Sequence, residues 1–290
     1  MPALSRLLYH TAVALGRPIG GLRPRRIYDL LARRAFPTPQ FEWFRNRWGH
    51  DLLLSPYYHI DRNILILGTY DADLHNALER LLAPAMTALD VGANLGEIAL
   101  HMAARVAPTG QVHAFEPVPA VFARLQQHIT RNHMENILHP HPIALSDQTG
   151  QTEIAFADPS ADNQGLASIT NLTNKAGPLR TTIPTLTLDD FVAQHPLQRL
   201  DLIKIDIQGA EPRFLTGATK TLQRLRPQLL MEFSPDDLKQ AHLTSRDLAQ
   251  QLHSLGYEIH PLTKHGPAPA LNPATIPESF AAPNVLCTPR

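Results

Sequence analysis

Apolar positions change their spacing along this chain of 290 residues. At the start they recur every three or four residues, at Leu4, Leu7, Leu8 and Ala12 and again at Ile27, Leu30 and Leu31 with Arg34 beside them. That spacing predicts two short helices within 1–36, separated by Gly20-Gly21 and Pro24. Phe41 to Trp48 and Leu52 to Leu54 flank Gly49-His50-Asp51 and predict a hairpin turned at the glycine. Ile64 to Leu67 reads as a further short strand ended by Gly68. From Tyr70 onward, helical spacing alternates with short buried runs. Helices are predicted over 73–82, 97–106, 119–133, 211–225 and 236–255, and strands over 87–91, 111–116, 138–145, 200–206, 228–233 and 257–261. The stretch 150–187 is irregular and reads as a small antiparallel excursion or a substrate loop. The tail after Lys264 holds six prolines and is expected to end in an edge strand near Asn284 to Cys287. Strands alternating with helices of this length predict an α/β fold with a doubly wound, mostly parallel sheet. The expected organisation is a basic extension with a hairpin over 1–56 and an α/β domain over 57–290.

Composition narrows the picture. Apolar residues make up 43% and charged residues 18%, enough for a substantial core. Lys+Arg and Asp+Glu are both 26, so the basic excess of a general nucleic-acid binder is missing. The zero hides an asymmetry: residues 1–50 carry nine arginines and no lysine against Asp29 and Glu42, a net +7. Such a segment suits an anionic membrane surface or an acidic partner, or docks on the acidic remainder of the chain, which is slightly favoured. Cys287 is the single cysteine, so there is no intramolecular disulfide and no cysteine-rich zinc site. The apolar run from Leu7 to Gly16 is broken by His10 and Thr11 and falls short of the roughly 18–20 residues of a membrane span. Arg17 fits a signal peptide poorly, so a cytoplasmic location is expected. Among 15 histidines, His139-Pro140-His141 presents two rings on one strand face. A packed pair is the expected reading there, and no metal ligand set is assigned.

The strongest chemical signal is Leu89-Asp90-Val91-Gly92-Ala93-Asn94-Leu95-Gly96-Glu97, between a strand and a helix. Ligands of open α/β sheets bind at that edge. A pyrophosphate binder would show G-x-G-x-x-G; here the spacing is G-x-x-x-G, with Asp90 two positions earlier. An acid there suits a cationic ligand carrying an ammonium and a sulfonium, S-adenosylmethionine. Glu116-Pro117 ends the next strand, where a carboxylate accepts from ribose hydroxyls. Ser146-Asp147 follows the third strand, placed either at an adenine edge or in an ordinary turn. Asp206 ends the fourth strand at the same edge. It is the first candidate for a base or acceptor-positioning group, with Glu211 and Glu232 as alternatives. Asp206 as a turn cap and Glu211 as a helix-dipole acid are the competing structural readings. Lys204, flanked by Ile203 and Ile205, reads as a structural ion-pair partner.

The segments LDVGANLG, HAFEP, IALSD, LTLDDF, DLIKIDIQGAE and LLMEFSP occur in the order seen in the FkbM family of class I, S-adenosylmethionine-dependent methyltransferases, which this chain resembles over roughly 57–260. The resemblance implies a seven-stranded Rossmann-like sheet. It also implies S-adenosylmethionine as methyl donor, contacted by Asp90, Gly92, Ala93, Asn94, Gly96, Glu116, Pro117, Ser146, Asp147 and Asp206. Methyl transfer to a hydroxyl of a sugar, glycan or secondary metabolite is the implied reaction. The family usually has Glu where this chain has Gln208, so no proton-transfer role is expected of Gln208. Two alternatives remain: N-methylation of a peptide or amine, and a non-catalytic binding protein on the same fold.

Overall fold

The structure, a computed structural model, describes residues 34–156, 167–169 and 179–290, together with Thr11, Leu31 and Ala32. The basic helices expected over 1–36 otherwise lie outside the described residues.

Up to Ala72 the described residues form one compact unit, whose boundary lies beyond residue 56. Its hairpin pairs β1 (Glu42–Arg45) with β2 (Asp51–Leu54) antiparallel, turning at Gly49 with φ 83°. The strand expected at Ile64–Leu67 is instead the second half of helix α1 (His59–Leu67). Four consecutive apolar residues have no period of their own, so the flanking residues decide. Asp61 Oδ2 accepts the Ser55 N–H at 2.8 Å. Buried Arg62 donates to the Pro56 and Tyr57 carbonyls at 3.0 and 2.7 Å, fixing the entry turn. Gly68 closes the helix at φ 81°, its N–H on the Ile64 carbonyl, as a left-handed C-cap.

From Asp73 onward a second unit is built on a sheet. After α2 (Ala72–Leu81) the chain runs through β3 (Thr87–Val91), α3 (Glu97–Val106), β4 (Gln111–Phe115), α4 (Pro119–Arg131) and β5 (Leu138–His141). A second set of strands follows: β6 (Ala144–Leu145), β7 (Gly150–Phe156) and β8 (Leu179–Leu186). Then come α5 (Leu188–Gln194), β9 (Leu202–Ile205), α6 (Glu211–Gly217), α7 (Thr219–Leu225), β10 (Gln228–Phe233), α8 (Pro235–Leu238), α9 (Ser245–Ser254), β11 (Tyr257–Thr263), β12 (Gly266–Pro267) and β13 (Ala282–Pro289). The main sheet has the order β12-β11-β13-β10-β9-β3-β4-β5: the seven expected strands plus a two-residue edge. Strands β10, β9, β3, β4 and β5 are parallel, and β13 is antiparallel to both its neighbours.

All four residues of β9 are buried, as are four of five in β3, so helices must cover both faces. One face carries Leu89, Val91, Ile203, Ile205 and Met231 against Phe191, Phe214, Leu222 and Leu248 of α5, α6, α7 and α9. The chain leaves β3 toward β4 on one side and returns to β9 on the other. The carboxyl ends of β3 and β9 therefore form the switch point where such sheets bind ligands.

Four expectations change. The run 138–145 splits: proline at 142 has no N–H for the ladder, and β6 joins β8 in a separate three-stranded sheet with β7. That sheet gives 150–187 antiparallel character. The helix 211–225 divides at Ala218, after Thr216-Gly217, two weak helix formers. The helix expected over 236–255 ends early and restarts at Thr244, whose capping box with Asp247 specifies a new N-terminus. Finally β13 lies between β10 and β11, an interior strand and not an edge.

Candidate functional site

The loop after β3 is shaped by backbone constraints. Gly92, Asn94 and Gly96 have φ of 81°, 50° and 91°. A Cβ on Gly92 would lie 2.0 Å from the Asp206 carbonyl oxygen, so the β3 and β9 ends meet at a separation only glycine allows. The N–H groups of Gly92 and Ala93 both donate to the Phe115 carbonyl, at 3.1 and 3.0 Å. His128, buried on α4, hydrogen-bonds the Leu95 carbonyl at 2.7 Å. A carbonyl only accepts, so His128 carries its proton on Nδ1.

Glu116 closes the loop from β4. Its Oε2 accepts the Asn94 N–H at 3.0 Å and its Oε1 the Val118 N–H at 2.9 Å. Burial pushes its carboxyl from 4.5 up to about 7, against those two hydrogen bonds and the nearby Lys204 charge. Beneath the loop lies a charged cluster. Asp90 is fully buried, and its Oδ1 stands 3.0 Å from Lys204 Nζ. Lys204 Nζ also donates to the Gly92 carbonyl at 3.0 Å and lies 4.0 Å from Asp206 Oδ2. The first cation that Asp90 meets is thus the chain's own lysine. Desolvation raises the Asp90 carboxyl, and Lys204 opposes that shift. Desolvation lowers the Lys204 ammonium, but Asp90 and Asp206 outweigh it and the net shift is upward. Three carboxyl groups, Asp90, Glu116 and Asp206, thus act on one ammonium beneath the loop.

Asp206 opens the turn after β9 and its side chain is 44% exposed, so this carboxylate reaches solvent at the carboxyl edge of the sheet. Its N–H is held by the Val91 carbonyl at 3.0 Å. Gln208 Nε2 donates to Asp206 Oδ1 at 2.9 Å. Glu211 is buried and its Oε1 accepts the N–H groups of Ile207 and Gly209, at 3.2 and 3.4 Å. Burial raises its carboxyl from 4.5 to about 7. Its carboxylate faces its own turn, which braces the segment carrying Asp206.

A family model described as the methyltransferase FkbM domain matches residues 90–259, more than half of the chain. The chain belongs to the FkbM methyltransferase family. Its relatives include the 2-O-methyltransferase NoeI of Sinorhizobium fredii, 28% identical over 64% of this chain and 79% of that protein. The 31-O-demethyl-FK506 methyltransferase FkbM of Streptomyces tacrolimicus is 26% identical over 47% of this chain and 60% of its own length. The hexuronic acid methyltransferase AglP of Haloferax volcanii is 31% identical over 46% and 50%. The chain thus spans half to four-fifths of these relatives. With the family, the assignment as a methyltransferase enzyme follows, on a mostly parallel α/β sheet.

The remaining candidates of this FkbM-family chain sit as follows. Ala93 is buried in the loop, and Pro117 continues from Glu116. Ser146 donates to Asp147 Oδ1 at 2.9 Å, and Asp147 lies 3.4 Å from Arg213 Nε on α6. A Cβ on Gly217 would approach the Ser146 carbonyl oxygen to 2.0 Å, so this turn packs tightly on α6. Glu232 is half-buried on β10, one position beyond the last β9–β10 pair, Met231–Ile205, where the ladder with β13 is irregular. The family segment LTLDDF has local structural work. Thr187 caps α5 through the Asp190 N–H at 2.9 Å, and Asp189 accepts the Thr221 N–H at 2.7 Å at the start of α7.

Two features are not legible from sequence spacing. Lys204 reads as a structural partner, but its position between Asp90 and Asp206 does not follow from the chain alone. A lysine among isoleucines on a central strand is the available signal, since a buried ammonium needs carboxylates. The other feature is a ring cluster: His113 with His139, His141 and His195, packed with Phe115 and Phe191. His113 Nδ1 and His141 Nε2 are 3.1 Å apart. The His139-Pro140-His141 pair is therefore packed. Among the described residues no group of three or more His, Cys, Asp or Glu could hold a metal ion. Nor is any described helix long and apolar enough to cross a membrane.

Proposed function

We propose that this chain transfers a methyl group from S-adenosylmethionine to a hydroxyl of a sugar, glycan or secondary metabolite. The residues present suit that donor. The cluster beneath the loop carries an excess of carboxyl groups for a ligand with an ammonium and a sulfonium. Gly92 and Gly96 keep side chains out of the loop, and Glu116 stands where ribose hydroxyls would donate. Gly92 to Asn94, Gly96, Glu116 and Pro117 would hold the donor, with Ser146 and Asp147 toward the base and Asp90 beneath the loop, paired with Lys204. When bound, it supplies a methyl group on a sulfonium that leaves as a neutral thioether.

The observation that carries the hydroxyl reading is Asp206. It is the solvent-exposed acid of the cluster, and it accepts from Gln208 while facing Lys204. A hydroxyl is a weak nucleophile until its proton is removed, and base help typically contributes ~10²–10⁴-fold. Asp206 takes the acceptor proton as the acceptor oxygen bonds to the methyl carbon. Glu211 supports the turn. The names of the relatives, a 2-O-methyltransferase and a hexuronic acid methyltransferase among them, support the same acceptor class.

The test is methyl transfer from labelled donor to a panel of methyl glycosides, uronic acids and lipid-linked glycans, with amines as the contrasting set. Asp206→Asn should lower the rate with a hydroxyl acceptor by about 10²-fold or more while S-adenosylhomocysteine binding persists. Transfer only to amines, with Asp206→Asn at full rate, would overturn the hydroxyl reading.

A further inference from the structure

The turn that follows Asp206 is held more tightly than a connection needs to be. Gln208 has φ 53°, a left-handed conformation uncommon outside glycine, and Gly209 follows at 93°. Several contacts impose this shape. Glu211 Oε1 accepts the N–H groups of Ile207 and Gly209. Ser168 Oγ donates to the Gln208 carbonyl at 3.1 Å. A Cβ on Gly209 would lie 2.6 Å from the Asp237 carbonyl oxygen, so the turn is closed from that side too. Ile207 and Ala210 pack with Ile154, Ile169 and Ile183 around the three-stranded sheet. These contacts fix the backbone at Gln208, and its side-chain amide donates to Asp206 Oδ1.

The chemistry of that contact depends on the residue being an amide. An ionised carboxylate only accepts hydrogen bonds, and in this chain the Gln208 amide donates one to Asp206 Oδ1. Other charged groups around Asp206 are Lys204, 4.0 Å from Oδ2, and the carboxylates of Asp90 and Glu211, both of which feel its charge. Glu232 follows the last residue of β10 paired with β9. One oxygen of Asp206 is thus fixed by a neutral donor and the other faces a cation. Rotation of the carboxylate would forfeit both.

We propose that Gln208 is the positioning residue of this site: its amide hydrogen bond fixes the orientation of the Asp206 carboxylate toward the acceptor proton. The inference rests on the reading of Asp206 as the base. Two variants separate the effects. Gln208→Glu keeps shape and reach but replaces the donor by a second carboxylate, so the pair must share a proton. Gln208→Asn tolerates the left-handed backbone but is too short to span the 2.9 Å contact from its present position.

The experiment uses full-length protein with ¹³Cγ-labelled aspartate, the Asp206 signal being identified by its loss in Asp206→Asn. Titration by NMR in the presence of S-adenosylhomocysteine needs no acceptor. Gln208→Glu should raise the Asp206 midpoint by about one pH unit or more, as for two carboxylates in contact. Gln208→Asn should raise it by less and lower the transfer rate with the glycoside panel, leaving the donor's KM unchanged. The acid limb of the Gln208→Glu rate profile should move up with the midpoint. An Asp206 midpoint identical in wild type and Gln208→Glu overturns the proposal alone. Full-rate Asp206→Asn overturns the base reading and the proposal with it. If Gln208→Glu fails to fold, Gln208→Asn decides, and a wild-type midpoint and rate in that variant are the overturning result.

Discussion

Replacing Glu116 by glutamine should make the protein more stable at alkaline pH while destroying donor binding. Glu116 is only 7% exposed, and burial lifts its carboxyl from 4.5 to about 7. Above pH 4.5 the unfolded chain releases this proton while the native state retains it up to about 7. The native state then binds more protons, so stability falls as pH rises through that window. Between pH 5 and pH 8 the loss from this group is roughly 2–3 kcal/mol. A glutamine amide does not titrate, so the Glu116→Gln variant keeps that stability. It also loses something independent of pH. Both oxygens of a carboxyl group, charged or neutral, have lone pairs for the Asn94 and Val118 N–H groups, whereas an amide accepts with one oxygen only, which costs about 1.5 kcal/mol. The net expectation is a variant about 1 kcal/mol less stable than wild type at pH 5 and roughly 1–2 kcal/mol more stable at pH 8. Urea unfolding at the two pH values measures this, and calorimetry with S-adenosylhomocysteine measures binding. A stability difference that is the same at both pH values would refute the reasoning, because the charge of Glu116 would then not be the quantity lost.

Four further outcomes follow from the same geometry. Donor affinity of the wild type should fall as pH drops below about 7, up to tenfold per unit, because ribose hydroxyls prefer the ionised Glu116; a flat profile in calorimetry counts against the ribose contact. Gly92→Ala should destabilise more than Gly96→Ala in thermal unfolding, since its Cβ would meet the Asp206 backbone oxygen at 2.0 Å and that of Gly96 the flexible Leu125 Cδ1 at 2.4 Å. Lys204→Met leaves Asp90 buried and unpaired and should cost about 3–5 kcal/mol, much of it recovered when Asp90→Asn is added, in a double-mutant cycle by urea unfolding. Burial, followed by charge repulsion among neighbouring rings, holds His113 at about 3 and His141 at about 4, below their ordinary 6.5. The unfolded chain then takes up protons first, so stability should fall as pH drops from 6.5 toward 4, by a few kcal/mol, and His113→Leu should flatten that slope.

How far the sequence reveals the molecule depends on the range of the interaction that settles each element. β3, α3 and β10 are legible at their observed boundaries, because each has its own periodicity and its own stop. The glycine loop and Glu116 are legible for the same reason: spacing alone places them at one sheet edge. Helix α1 reads as a strand because its four apolar residues carry no period, and its identity comes from Asp61 and Arg62 binding the preceding turn. β13 reads as an edge strand because nothing local says that a strand some twenty residues after β11 inserts between two others.

The site shows the same division, with a consequence for its chemistry. Sequence spacing identifies Asp90, Glu116, Asp206 and Glu211 as acids of one sheet edge, but which of them meets a ligand is decided by neighbours far along the chain. Asp90 pairs with Lys204, 114 positions away, through the register of β3 on β9, and so sits beneath the loop. Glu211 looks equivalent to Asp206 in sequence, yet its oxygen is held by two N–H groups of its own turn. Asp206 differs because the glycine at 92 lets its backbone close against β3 while its side chain stays exposed at the sheet edge. A loop glycine that reads in the sequence as room for a ligand therefore also admits the carbonyl of Asp206. Any side chain at 92 would disturb the donor loop and the turn carrying the proposed base together. Donor affinity and the turnover of bound donor should consequently fall together in Gly92→Ala, whereas Gly96→Ala should lower donor affinity alone.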